Sequence, residues 1–344
     1  EIYTLSLHDA LPILLTFPLH LFAMNAMLGA GIVAFLSHLH PGRAYRTLAH
    51  ELAKALPFLI AFTVNLGVAP LLFVNVLYGH LLYTSTILMG LFWLAVIPVV
   101  IVAYYLAYIY DFRFKQLGNP AMFVVFAVVL LLLLVGFVFT NNMTMMISPT
   151  SWGRWFATPN GTLLNLADPT VLSRYLHMMA GALAVGGLFV AIYASTVLKS
   201  DPDVSEIGQK LGMRLFAWLT LVQLAVGTWF LLSLPQHTLH RFMGGGGVAT
   251  GLLVTGVLLT VAVLVTGFRR QVLPTVWLSM ALVYVMAFMR DVVRGNFLAP
   301  YFNPTTVPVQ AQWSPLVLFL VSLVAGLVLV VWMLTRLTNL KSRA

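Results

Sequence analysis

The sequence predicts an all-α, polytopic membrane protein: one bundle of nine transmembrane helices, N-terminus outside and C-terminus cytoplasmic. Three observations predict it. Of 344 residues, 61% are hydrophobic and only 8% charged, with mean hydropathy +0.97. Nine apolar stretches, roughly 15–37, 57–83, 86–110, 121–147, 171–198, 211–234, 242–268, 272–294 and 313–335, approach the ~20 residues needed to cross a bilayer. The cations also segregate. Thirteen of the 18 Lys and Arg follow odd-numbered spans: Arg43, Arg46, Lys54, Arg113, Lys115, Lys199, Lys210, Arg214, Arg269, Arg270, Arg336, Lys341 and Arg343. Arg154, Arg174, Arg241, Arg290 and Arg294 fall on the other side, and the more basic side faces the cytoplasm.

In chain order, residues 1–13 carry no cationic leader and no small-residue cleavage site, and read as an adapter-derived segment. They are set aside, His8 included, leaving residues 14–344 as a single transmembrane domain. The first span carries His20 in Phe17-Pro18-Leu19-His20. The inner segment His38–Leu56 reads as an amphipathic surface helix, with Leu48, Leu52 and Leu56 toward lipid and Arg43, Arg46 and Lys54 toward water. Almost no turn separates the second and third spans near Tyr78-Gly79-His80. The outer loop at 148–170 carries Trp152 and Trp155, which suit the headgroup region, and Asn160-Gly161, which marks a turn. The inner loop at 199–210 is mixed in charge and solvated; the outer loop at 295–312 contains three prolines.

The net charge of +9, concentrated on the inner side, fits anionic membrane lipid and not nucleic acid. With no Cys, the chain forms no disulfide, ligates no iron–sulfur cluster and attaches no haem covalently.

On this topology His20, His80, His177, His237 and His240 gather in the outer half, where intramembrane ionisable groups are costly and commonly functional. His177, in Arg174-Tyr175-Leu176-His177, is a candidate haem-iron ligand; its bland reading is a neutral ring bonded to a neighbouring helix. Met243 precedes Gly244 to Gly247, which remove side-chain bulk where a flat macrocycle could lie; a Met among 15 is more commonly packing. Imidazole opposite thioether suits a low-spin b-type haem built for electron transfer. Arg174 and Arg241 lie within a turn of the two and could pair with propionates or snorkel to headgroups. His20, with Asp291 or His80, is a candidate for a second haem site. Asp291 between Arg290 and Arg294 reads equally as a salt-bridged cluster, and His80 as a surface histidine.

These residues resemble subunit I of the cytochrome bd quinol oxidases over about residues 15–335. The first span, with His20 followed by Leu28-Gly29, looks like that family's opening helix, whose His binds the haem at the oxygen site. Gly67-Val68-Ala69 is similar to a family glycine motif, and His177 falls where the family has its low-spin haem ligand. Arg241-Phe242-Met243 before glycines resembles Arg-x-Met-x-Gly, whose Met is the second axial ligand. Asp291-Val292-Val293-Arg294 looks like a weakened Glu-x-Gly-Arg.

Two departures redirect the expectation. The third span, Thr86 to Tyr110, contains no acidic residue where the family carries glutamates, and the family's long quinol loop shrinks to about Pro235–Arg241. The resemblance therefore implies a membrane b-type cytochrome subunit, with one haem b and room for a second. It would pass electrons between quinone or quinol and a redox partner on the outer side of a bacterial inner membrane. The implied partners are a second membrane subunit, an outer-side c-type cytochrome, or both. A divergent quinol:oxygen oxidoreductase is the alternative, and a haem-free transporter or structural subunit the second.

Overall fold

In the computed structural model, described for residues 7–157 and 159–303 and for 313–314, 317–318, 320–326, 328–329 and 332, every regular element is helical. Ten α-helices run in order: α1 Leu7–His38, α2 Arg43–Leu88, α3 Gly90–Phe112, α4 Phe114–Leu117, α5 Ala121–Met146, α6 Thr170–Thr196, α7 Pro202–Leu232, α8 Gln236–His240, α9 Gly247–Phe268 and α10 Val272–Leu298. A 3₁₀ segment, Pro149–Ala157, follows α5, and a π-turn, Arg241–Gly245, joins α8 to α9. Among the described residues eight helices (all but α4 and α8) are long and apolar enough to cross a membrane. Residues 304–344 form a separate unit whose described positions are largely helical; the expected ninth span at 313–335 lies only partly within them.

The outside of the bundle is apolar. Phe58 and Phe62 on α2, Leu94 on α3 and Trp218 on α7 are all more than half exposed. For a soluble protein such a surface would aggregate, whereas in hydrocarbon it costs nothing. The interior is held together by small residues instead. A Cβ at Gly186 of α6 would lie 2.3 Å from the Asn25 carbonyl oxygen and 2.5 Å from the Gly29 Cα, so the backbones of α1 and α6 touch. Gly187 and Gly212 bring α6 equally close to α7, where either Cβ would fall within 2.7 Å of the other's carbonyl oxygen. Close approach of backbones is how helices gain dispersion energy in lipid, where apolar burial alone gives no preference.

Two boundaries depart from expectation. The segment at 43–56 is no separate surface helix. It is continuous with the second span in the 46-residue α2, and Leu48, Leu52 and Leu56 are at most 1% exposed in the main core. Gly208 of α7 explains this: having no side chain, it leaves room for Leu48, whose Cδ1 approaches within 3.4 Å of where a Cβ would be. The apolar face recognised in the sequence is real, but it is covered by protein and not by lipid. The seventh span begins at Gly247 and not at 242, because Gly244 adopts φ +110° and the chain unwinds through the glycine run. Elsewhere boundaries follow local chemistry. Only Met89 separates α2 from α3, and the 148–170 loop closes over that joint through Leu91 N–H to the Gly161 carbonyl (3.0 Å) and Leu163 N–H to the Leu88 carbonyl (3.1 Å). Gly161, at φ +71°, makes the turn expected of Asn160-Gly161. Asp201 caps α7, accepting from Val204 N–H at 3.4 Å, with Pro202 in the first turn.

Helix α1 runs unbroken from Leu7 across the set-aside segment, and Ile13 is 3% exposed in a cluster with Val74 and Leu81. His8's side chain lies outside the described residues.

Candidate functional site

Two helices build the first group. On α6, Arg174, His177 and Gly181 lie at spacings of three and four, one face of the helix. On α7, Gln223, Gly227 and Phe230 do the same. Where these faces meet, the His177 Nε2 lies 3.2 Å from the Gln223 side-chain nitrogen, and its ring stacks on Phe230 at 5.9 Å between centroids. Each polar side chain sits opposite a glycine of the other helix. A Cβ at Gly227 would be 2.9 Å from the His177 Cε1, and one at Gly181 would be 3.0 Å from the Gln223 Nε2. Arg174 also lies over Phe230, its guanidinium carbon 5.2 Å from the ring centre.

The group is incompletely satisfied. His177 Nδ1, Gln223 Oε1, and Arg174 Nε and Nη2 are all buried with no hydrogen-bond partner. Turning the Gln223 amide over would let Oε1 accept from His177 Nε2–H, since amide O and N are interchangeable in placement. The Nδ1 lone pair would then remain free as an acceptor or metal donor. Buried polar atoms ordinarily find partners, so a nitrogen and a guanidinium left idle on one face of α6 mark a place for a further group.

His20 occupies a second setting, between α1 and α2. Its Nδ1–H donates to the Thr63 carbonyl at 3.0 Å, and its ring covers Gly67, where a Cβ would come within 2.9 Å of Cε1. That bond fixes the tautomer and leaves the lone pair on Nε2, the orientation that carbonyl-backed histidines adopt toward metals. Gly67, singled out in the sequence, is thus the floor under His20.

The third group surrounds the C-terminal end of α10. Asp291 and Arg294 form a buried ion pair, each side chain 6% exposed, which is the salt-bridged arrangement weighed for Asp291 in the sequence. Arg294 Nε and Nη1 have no hydrogen-bond partner, while its guanidinium lies 4.7 Å from the centre of the Tyr78 ring. Tyr78 is where α2 departs from helical geometry, at φ −124° and ψ 27°. Arg290 packs over Phe17 of α1 at 4.6 Å, within electrostatic range of Arg174 and Arg294. Three guanidiniums therefore share this region. His80 is exposed and meets Phe302 edge-on at 4.7 Å.

Met243 and Arg241 belong to the unwound π-turn. Met243 is 56% exposed, so its thioether serves no core packing, and Phe242 beside it takes the buried place next to Phe230. The structure shows no contact between Met243 and His177. Arg241 is exposed and its carbonyl accepts from Thr250 Oγ1 at 3.1 Å. His237 and His240 are exposed on α8.

Gln223, Gly227, Phe230 and Thr63 were not singled out as site residues in the sequence. Gln223 had a signal: it is the one side-chain amide in the span 211–234, four residues before a glycine. Thr63 had none, because its carbonyl and not its side chain meets His20. Among the described residues no three His, Asp or Glu converge on one point. The two described cavities, about 380 and 490 Å³, open near basic residues of the expected inner loops and not at His20, His177 or Met243. No protein-family model matches the chain, and no curated protein matches it.

Proposed function

We propose that the chain is the b-type cytochrome subunit of a respiratory electron-transfer complex of a bacterial inner membrane. In this reading it has nine spans with the N-terminus outside, and it moves electrons between the quinone pool and an outer-side redox partner. That partner is a second membrane subunit or a c-type cytochrome. The observation that carries the reading is the idle buried nitrogen of His177, against the side-chain-free surface of Gly227, with the idle buried nitrogens of Arg174 one turn away on α6.

The donor types fit the group. Haem b held here would supply a one-electron couple whose potential is raised by imidazole and thioether ligation. His177 offers the ring nitrogen, and Gln223 orients the ring as an outer-shell partner. Arg174 offers two unpaired N–H groups to an anionic edge such as a propionate. Met243, free of packing duty on the unwound turn, is the thioether donor. His20, its tautomer set by Thr63, offers Nε2 to a second haem. His237 and His240, exposed beside Arg241, would accept a proton from a quinol headgroup in this reading.

A haem-free structural or transport subunit is the reading favoured by the reciprocal seating of His177 on Gly227 and Gln223 on Gly181, a packing motif in its own right. The absorption spectrum of the purified protein separates the two. A reduced α-band near about 560 nm, the range for b-type ligation, lost in His177→Leu and Met243→Leu, supports the cytochrome. A spectrum without that band leaves packing as the role of these residues. Reduction of the haem by a quinol analogue without oxygen uptake supports transfer to a partner; cyanide-insensitive oxygen uptake would assign the chain to oxygen reduction.

A further inference from the structure

Away from His20 and His177, a cavity of about 490 Å³ opens where the α1–α2 connection meets the α3–α4 joint. Its lining is Gly42, Arg43, Arg46, Thr47, His50 and Phe114, together with Lys115. Three of these side chains are cations and none is a carboxylate. Arg43 has one partial partner, Asp201, at 3.8 Å across an exposed gap. Glu51 lies close by but is committed to Lys54 at 2.6 Å, and Asp111 is the other carboxylate near His50. Concave and net cationic, with hydroxyl and imidazole donors among its walls, the cavity suits a phosphate group.

What arrives with that phosphate is indicated by α3. Ile101, Tyr105 and Phe112, at helical spacing, are 49%, 67% and 75% exposed. This apolar row ends two residues before Phe114, which forms part of the cavity wall. A hydrocarbon-facing row that terminates at a cationic cavity matches a ligand with an anionic head and apolar tails. We propose that this cavity binds the phosphate headgroup of an anionic phospholipid. The site is independent of the cytochrome reading and of any haem.

The cavity near Lys199, Lys210 and Arg270 provides a built-in comparison, because its three cations share their walls with Glu206. The full-length protein in uncharged detergent is titrated with phosphatidylglycerol, phosphatidylcholine or inorganic phosphate while its melting temperature is followed. Phosphatidylglycerol raises the melting temperature of the wild type and phosphatidylcholine does not. The pair Arg46→Gln/Lys115→Gln weakens that effect by roughly 30-fold in lipid concentration, the expected loss for two surface cations. The pair Lys210→Gln/Arg270→Gln, equal in charge, leaves it within a few-fold. Arg46 and Lys115 are exposed, so these variants fold, and native mass spectrometry of retained lipid gives a second readout. An equal loss in both pairs would show diffuse charge attraction and overturn the site. Equal stabilisation by inorganic phosphate would overturn the lipid, as would absence of any stabilisation by phosphatidylglycerol.

Discussion

His177 of α6 and Gln223 of α7 meet nitrogen to nitrogen at 3.2 Å, each lying opposite a glycine of the facing helix, Gly227 and Gly181. The pair locks the register of the two helices and fixes the direction of the imidazole. Outer-shell partners of metal-bound histidines typically govern affinity by about 10–100-fold. In the cytochrome reading Gln223→Leu therefore lowers haem affinity by about that factor and shifts the reduction potential. Gln223→Glu, which keeps an acceptor for Nε2–H, retains the haem. Haem stoichiometry and a redox titration measure both. An unchanged potential in Gln223→Leu would leave Gln223 as packing alone.

Glycine contacts give a prediction that needs no cofactor. Gly186→Val drives a side chain into the backbone of α1, where the Cβ alone would come within 2.3 Å of the Asn25 carbonyl oxygen. Backbone cannot move aside as a side chain can, so the loss exceeds the usual overpacking cost of about 1–3 kcal/mol. Gly251→Ala on α9, where a Cβ meets nothing within 4 Å, is neutral or raises stability by up to about 1 kcal/mol. Unfolding in mixed micelles compares them, and similar stability for the two variants would contradict the α1–α6 contact.

The Asp291–Arg294 pair decides between an ion pair and a ligand. Asp291→Asn leaves Arg294 buried with no counter-charge, a loss of about 3–5 kcal/mol. Asp291→Leu combined with Arg294→Met removes both charges and recovers most of that stability. If instead the single variant loses haem while keeping wild-type stability, Asp291 is a ligand and the pair is incidental.

Much of the bundle was legible because apolar length is a local property. The segment at 43–56 shows where that legibility stops. Its period of apolar residues marks a buried face correctly, but only the position of α7, with Gly208 opposite Leu48, says whether lipid or protein covers it. Met243 makes the complementary case. Glycines after it suggested a cleared helix surface, whereas the same glycines unwind the chain and lift Met243 out of the span. Ligand-like residues were visible in the sequence by type; their backing groups, Thr63 and Gln223, were set by neighbouring helices distant in sequence.

Topology is open to direct measurement because the chain has no cysteine. Asn160, in the loop closing over the α2–α3 joint, and Asp203, in the first turn of α7, are both exposed and belong to connections that flank α6. A single span separates them, so single cysteines at these two positions must label from opposite sides of the membrane. The charge split puts Asn160 outside and Asp203 in the cytoplasm. An impermeant maleimide applied to intact cells that lack an outer membrane barrier should therefore modify Asn160→Cys and spare Asp203→Cys until the membrane is opened. The reverse pattern would invert the bundle and place His20 and His177 near the cytoplasmic face, removing the basis for an outer redox partner. Labelling of both in intact cells would mean that α6 does not cross at all, against its 27-residue apolar length.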